Sequence, residues 1–342
     1  MIIVVVSRVD SYLTTLLLLL LLPHILSVSS SDDAIPTTNS VIQLPDPRIK
    51  WGLEVPLIPT LLDSSYAIKT GLEVAFTEAN QYSRMVFELI VRNHGYDNSL
   101  ATESAAQIDR TAFGFIGFLG TGPLLASLNR ISHDTPIVGT IAGGSAIRWN
   151  LIESNALPLQ YRIINLRSDF NDESAVLIGE IATNWLDLER TAVVFQDDSF
   201  GWIGRDGLRV SLKHEDVTPL AEVGFQHLRV ISGNTTWEEE ARRVVDQIAS
   251  KGTPRAVLIV ATTGITADTI KAVVDRFGEH IIFGTLSCAD ADALARKMAD
   301  RNIPRSVKVV MTQAVPSPSF STQPVVVQYR NAMARFAPNE SF

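Results

Sequence analysis

The chain of 342 residues holds one cysteine, Cys288, so no disulfide can form within it and the fold must be held by its core. Charged residues are sparse, at 19%, and the formal net charge of −8 is not offset by any run of Lys and Arg interleaved with aromatics. That balance disfavours a phosphate backbone and sets nucleic acid aside as a partner. The six histidines, among them His94, His133, His214 and His227, are scattered without ligand spacing, so no metal site is expected. GxSxG, GxGxxG and Walker patterns are all missing, and with them the usual nucleophile elbow and phosphate cradles. No cofactor and no catalytic set is therefore expected. Beyond the first 29 residues no run is apolar and long enough to cross a bilayer.

What is present is a large apolar fraction, 46%, in a chain long enough for two domains. Arg8 precedes an unbroken leucine run over residues 16–22, followed by Pro23 and the small residues Ser27 and Ser29. This pattern predicts a signal peptide over 1–29, with a membrane anchor as the alternative because residues 2–6 are apolar too. Either reading exports the body, to the periplasm, the extracellular face of a membrane or the medium. Residues 30–47, rich in Ser, Thr, Pro and Asp, read as a linker. Two sequons begin at Asn234 and Asn339.

From residue 50 the chain alternates short buried apolar runs with helical spacing. Strands are expected over 50–58, 85–91, 113–119, 136–141 and 161–165, and helices over 66–79, 100–108 and 124–131, with a loop over 59–65. A second series follows: helices over 173–186, 201–214, 267–277 and 292–300, and strands over 192–195, 221–225, 256–261, 281–284 and 307–312. Thr236 and Glu239 form a capping box for a further helix that Gly252 ends, and a last helix is expected over 325–336. This is α/β patterning, with two doubly wound parallel-sheet lobes. In such sheets ligands bind at the carboxyl ends of strands, where the next helix turns its N–H groups toward them. The stretch 191–207, strand then Gln196-Asp197-Asp198-Ser199 then helix, is the first candidate for such a wall. Within it Asp197 and Asp198 read either as ligand groups or as a solvated turn, and Phe200 either as a ligand cover or as core. Cys288 reads as a small buried hydrophobe rather than a nucleophile.

Six ordered stretches carry a family resemblance: GLEVAFTEAN from Gly71, IGFLGTG from Ile116, PIVGTIAGGSAIR from Pro136, VVFQDDSFGWIGRDG from Val193, FGTLSCADADALA from Phe283 and VVMTQAVPSPSFSTQPVVVQY from Val309. In order and spacing the chain resembles the type 1 periplasmic-binding fold, specifically the branched-chain-amino-acid-type ABC transporter substrate-binding proteins, whose leucine-binding-protein-like domain also serves as a receptor ectodomain. The resemblance implies lobe 1 over 48–166, lobe 2 over 167–314 and a return segment over 315–342, with chain crossings near Arg167 and Pro316. On the family pattern, the chain stops soon after that return begins, leaving lobe 1 incomplete or the sequence a piece of a longer receptor.

The same resemblance implies a non-catalytic domain closing over a small ligand, amino-acid-like or a small organic acid. Its positions in this chain are Gly120, Thr121, Gly122, Ile141, Ala142, Gly143 and Gly144 from lobe 1, and Ser199, Phe200, Leu286 and Ser287 from lobe 2. Ile141 and Gly143 stand where hydroxyl residues are usual, and no carboxylate stands at Leu286-Ser287 to meet a ligand ammonium. An ABC permease or an attached membrane signalling domain would read the closed state. The competing classes are a ligand-free interaction ectodomain and a hydrolase on an α/β sheet.

Overall fold

The computed structural model describes residues 2–6, 48–58, 61–144, 147, 163–184, 188–314 and 321–339. Strand β1 is Ile2–Val6. The first α/β series is β2 (Arg48–Val55), α1 (Leu62–Tyr82), β3 (Val86–Asn93), α2 (Asn98–Asp109), β4 (Gly114–Ile116), α3 (Thr121–Ser127), β5 (Ile137–Thr140) and β6 (Ile163–Asn165). The second runs α4 (Phe170–Asn184), β7 (Thr191–Gln196), α5 (Ser199–His214), β8 (Ala221–Phe225), α6 (His227–Ile231), α7 (Trp237–Ala249), β9 (Ala256–Val260), α8 (Thr263–Phe277), β10 (Ile282–Thr285), α9 (Ala291–Asp300) and β11 (Lys308–Thr312). Helix α10 (Pro324–Phe336) then packs on α1 through Val74, Ala332 and Met333.

Two parallel sheets result, one ordered β3-β2-β4-β5-β6 and the other β1-β11-β10-β9-β7-β8. The central strands explain themselves: β7 (TAVVFQ) and β9 (AVLIV) are buried at every residue, as a strand covered on both faces must be. In lobe 2 one core gathers Val194, Phe225, Val244, Ile259 and Phe283, and the other gathers Phe170, Val193, Leu208, Leu258 and Leu286. Lobe 1 has its own core around Phe115, Phe118, Leu124 and Ile137.

Helix starts follow their caps. Asp97 accepts from Ser99 and Leu100 N–H, Asp198 from Gly201 N–H and Asp290 from Ala293 N–H, while Thr236 and Glu239 form the expected capping box. One reading needs correction, and two features were not foreseen. The segment 59–65 is not loop throughout, because α1 already begins at Leu62, with buried Ser65 donating to the Pro56 carbonyl. The five-residue helix α6 follows β8 with no apolar period long enough to announce it. Ile2–Val6, counted with the leader or anchor, pairs in parallel with Lys308–Thr312 at the edge of the lobe 2 sheet. Met1 and residues 7–29 of that leader reading, together with the linker 30–47, lie outside the described residues.

Candidate functional site

Leaving aside the edge strand β1, the strand order reverses once in each sheet, between β2 and β4 in lobe 1 and between β7 and β9 in lobe 2. Such reversals open a crevice at the carboxyl ends of the two strands. The lobe 1 crevice leads to Gly117–Gly120 and the start of α3, and the lobe 2 crevice leads to Gln196–Ser199 and Thr262. The two ends face each other and touch. A Cβ built on Gly122 would lie 2.6 Å from Ser199 Oγ and 3.2 Å from Asn98 Oδ1, and one on Gly144 would lie 3.1 Å from Ile203 Cδ1. A side chain at Gly122 would collide with Ser199 and one at Gly144 would press on Ile203, so glycine lets these walls meet this closely.

Nearer the hinge, the Phe170 N–H donates to the Gly143 carbonyl at 3.0 Å, and a Cβ on Gly143 would lie 2.5 Å from the Phe170 ring. This is a physical reason for the glycine that stands in place of a hydroxyl residue: the ring occupies the space a side chain would need. Phe170 in turn meets Phe200 edge-on, centroids 5.6 Å apart at 65°, and carries the Arg167 guanidinium 4.5 Å from its centroid.

At the outer rim, Tyr96 reaches across from lobe 1. Its hydroxyl donates to the Asp198 carboxylate, and its ring stands edge-on to His227 at 6.3 Å. Asp198 also accepts from Gln196 Nε2 at 2.6 Å and has His227 Nε2 at 3.6 Å. Burial raises the Asp198 carboxyl and lowers the His227 imidazole, each against the pull of the other's charge. Burial likewise raises the Tyr96 hydroxyl, with the Asp198 charge adding to it. Gln196 Oε1, both His227 ring nitrogens and Thr262 Oγ1 are buried without a hydrogen-bond partner. Tyr96 itself sits at φ 62, a left-handed turn that His94 supports: His94 Nδ1 accepts the Tyr96 N–H at 3.1 Å, which leaves Nε2–H to donate to the Leu119 carbonyl at 3.1 Å. Burial pushes His94 down to about 4, so the neutral tautomer that these two bonds require is the one held.

The residues singled out in the sequence are thus placed as follows. Gly120, Thr121 and Gly122 form the start of α3, with Gly120 at φ 115 where a Cβ would meet the Tyr96 ring at 3.3 Å. Thr121 is buried, its Cγ2 2.9 Å from a Cβ built on Gly144, so its methyl packs on that wall. Ile141 is half-buried with its N–H bonded to the Phe118 carbonyl; Ala142, Gly143 and Gly144 continue the wall behind it. Ser199 and Phe200 open α5 opposite them. Phe200 is only 8% exposed and belongs to the lobe 2 core as well as facing Phe170. The Leu286 side chain is fully buried in that core, which leaves its main chain alone for any contact. Asp197 accepts from Trp202 Nε1 and Asp198 caps α5, so this carboxylate pair serves the turn. Burial raises the Cys288 thiol, and its Sγ lies 3.5 Å from the Leu286 carbonyl, an unreactive position.

Ser287 holds a result that the sequence did not disclose. Its N–H and Oγ donate at 2.9 and 2.8 Å to the carboxylate of Glu173, which comes from the first turn of α4. Thr312 Oγ1 donates to the same carboxylate at 2.9 Å, and Arg167 Nε stands 3.3 Å away. A carboxylate is therefore present at Ser287 after all, brought from 114 positions away. It is buried and saturated, and it ties Arg167 to the end of β11; the crossing expected near Pro316 lies outside the described residues. Of the other functional candidates, Phe170, Tyr96, Gln196 and His227 were also not foreseen. The only signal for Phe170 lay in the glycine at 143.

Among the described residues, no group of three or more His, Cys, Asp and Glu side chains is placed to hold a metal, and no helix is long and apolar enough to cross a membrane. Two surface hollows of about 480 and 450 Å³ lie on α1 with α10 and on α7, lined by Glu78, Val327 and Arg335 in the first and by Arg242 and Asp246 in the second. Neither includes a residue of the cleft.

No family model matches the sequence, and no curated protein does. Solved structures match the fold. A possible leucine/isoleucine/valine-binding protein from Rhodopirellula baltica aligns with TM-score 0.70 and 22% identity over 91% of this chain and 78% of its own. The fold is that of the type 1 periplasmic binding proteins. Other type 1 binding proteins with this fold include a branched-chain amino acid ABC transporter protein from Thermus thermophilus with bound valine, at TM-score 0.65 and 12% identity over 85% of this chain and 71% of that one. A solute-binding protein from R. palustris in complex with 4-hydroxybenzoate aligns with TM-score 0.60 and 12% identity over 74% of this chain and 66% of that one.

Proposed function

We propose that the chain is an exported, non-catalytic domain that binds a small molecule, amino-acid-like or a small organic acid, between two lobes and signals its presence by closing. The lobes are taken as 48–166 and 167–314, with 315–342 returning to lobe 1. The observation that carries this reading is the meeting of two crevices: the reversal points of both sheets face each other, and the residues between them are helix starts and glycines. A ligand held there favours the closed form by whatever contacts it makes to both walls, and a partner that recognises that form reads it. Fold neighbours whose bound ligands are valine and 4-hydroxybenzoate support an amino acid or an aromatic acid as the first compounds to try. An ABC permease or an attached membrane signalling domain is the partner this role requires.

The test is a thermal-shift screen of the whole chain with amino acids, fatty acids and aromatic acids. A hit at a hundredfold excess over Kd stabilises by about 2.7 kcal/mol. Phe200→Ala should weaken that hit while the protein stays folded. A stable protein that no compound shifts refutes the reading. The direct contact of the walls at Gly122 and Gly144 favours a second reading, an interaction domain that stays closed without a ligand, and an empty screen would be its expected outcome.

A further inference from the structure

We propose that Phe170 is the built-in occupant of this cleft: its ring holds the lobes closed in place of a ligand, and a small electron-rich aromatic compound enters only by displacing it. The inference rests on the hinge-closure reading above.

The ring is the first side chain of α4, a lobe 2 helix, yet its slot is made by both lobes. Gly143, from the loop after β5, lies against it so closely that a Cβ there would be 2.5 to 2.8 Å from three ring carbons. Phe200 closes the lobe 2 side edge-on at 5.6 Å, and the Arg167 guanidinium lies 4.5 Å from the ring centroid. The Phe170 N–H bond to the Gly143 carbonyl fixes the main chain, so the ring cannot back out without a rotamer change or an opening of the lobes. No part of the side chain reaches solvent. Rooted in the lobe 2 core and pressed against Gly143 of lobe 1, this side chain does for the closed state what a ligand would do.

The slot also states what can replace the ring. Gly143 lies against it with no side chain, another ring stands at 65° to it, and a cation lies over it. A flat ring fits the first, an aromatic quadrupole suits the second, and electron density on the ring face suits the third. An aliphatic chain would satisfy none of these as well.

The experiment compares the full chain with Phe170→Ala by small-angle scattering and thermal shift, using phenol as the probe. The ligand-free wild type should scatter as the closed form and bind phenol at least roughly tenfold more weakly than the variant, whose emptied slot accepts a ring as engineered aromatic-sized cavities do. Phe170→Ala should open, and phenol should close it again and raise its Tm. A ligand-free wild type that is open, or a variant that stays closed without phenol, overturns the proposal. If Phe170→Ala does not fold, Gly143→Ala serves instead: its methyl group must push the ring out, so it should open the lobes, and closed scattering from it overturns the proposal equally. Failure of the two readings can be told apart. A wild type that closes from an open form on a screened acid refutes the built-in occupant and upholds ligand-driven closure. A variant that closes on phenol, beside a wild type that no screened compound shifts, upholds the occupant and refutes the binding function.

Discussion

Removing the Glu173 carboxylate should weaken the molecule more than any other single change on the lobe 2 side of the cleft. Three hydrogen bonds at 2.8 to 2.9 Å from Ser287 and Thr312 end on it, as does the Arg167 ion pair at 3.3 Å, and the Arg167 and Glu173 side chains are 8% and 4% exposed. Little solvent screening reaches such a pair, so the discount appropriate to surface pairs does not apply. Deleting one partner of a buried, hydrogen-bonded charge pair typically costs about 3–5 kcal/mol. In Glu173→Ala the Ser287 and Thr312 donors also lose their acceptor. Glu173→Gln keeps the shape and one acceptor oxygen but turns an amide N–H₂ toward donors, and should lose about 1–3 kcal/mol.

Urea unfolding of the full chain is the assay. With a slope of about 1–3 kcal/mol per molar, the alanine variant's midpoint should fall by more than about 1 M. A cycle with Ser287→Ala, which removes the Oγ bond and keeps the main-chain N–H bond, should give a coupling of about 0.5–1 kcal/mol. A loss below about 1 kcal/mol for Glu173→Ala would refute the reasoning, since it would mean the carboxylate's bonds merely replace equally good ones to water.

Glu54, fully buried beneath Ser104 Oγ, is pushed by burial up to about 8 from an ordinary 4.5, so the fold holds it neutral. Its stabilising effect is complete below the unfolded value and is lost as pH rises through the folded one; Glu54→Gln should therefore gain on the wild type by up to about 1.4 kcal/mol per pH unit across that window, read from urea midpoints at several pH values. His94 slopes the other way: held neutral at about 4 against an ordinary 6.5, it stabilises fully above the higher value and loses that stabilisation as pH falls through the lower one. His94→Asn, able to keep one donor and one acceptor, should flatten that acid limb, and a limb of unchanged slope would count against the assignment. Thr236→Ala removes the capping box of α7 and should cost about 1 kcal/mol, while Thr236→Ser should recover most of it. Equal Tm values for the two variants would refute the cap's contribution.

Much of the scaffold was legible because its signals are local. Strands β7 and β9 are largely apolar runs bounded by polar turns, β8 alternates buried and open positions, and the Thr236–Glu239 box announces α7 within four residues. The turn at 196–199 followed from the rule that crevices lie at strand ends, whereas 120–122 and 141–144 came only from the family resemblance. What escaped depends on distance. Nothing in residues near Ser287 points to a carboxylate 114 positions earlier, and Glu173 alone looks like any acid in a first helical turn. Phe170 reads as an ordinary apolar residue at a helix start; only the missing side chain at Gly143 carries its imprint. The pairing of Ile2–Val6 with β11 was hidden for a different reason, since an apolar run that suits a leader suits an edge strand equally well.

The lone thiol of Cys288 has a mechanical consequence. With one cysteine in these 342 residues, and that one packed against the lobe 2 core, no disulfide rivets the lobes together. The link between the two halves is the peptide chain itself plus the weak contacts of Phe170 with Gly143 and of Tyr96 with Asp198. Its strength is therefore indifferent to oxidants and reductants, and melting curves taken with and without dithiothreitol should superimpose. Pulled apart end to end, the molecule should yield by the lobes separating first and each sheet unravelling later, because side-chain contacts alone resist the first event and whole ladders of main-chain bonds resist the second.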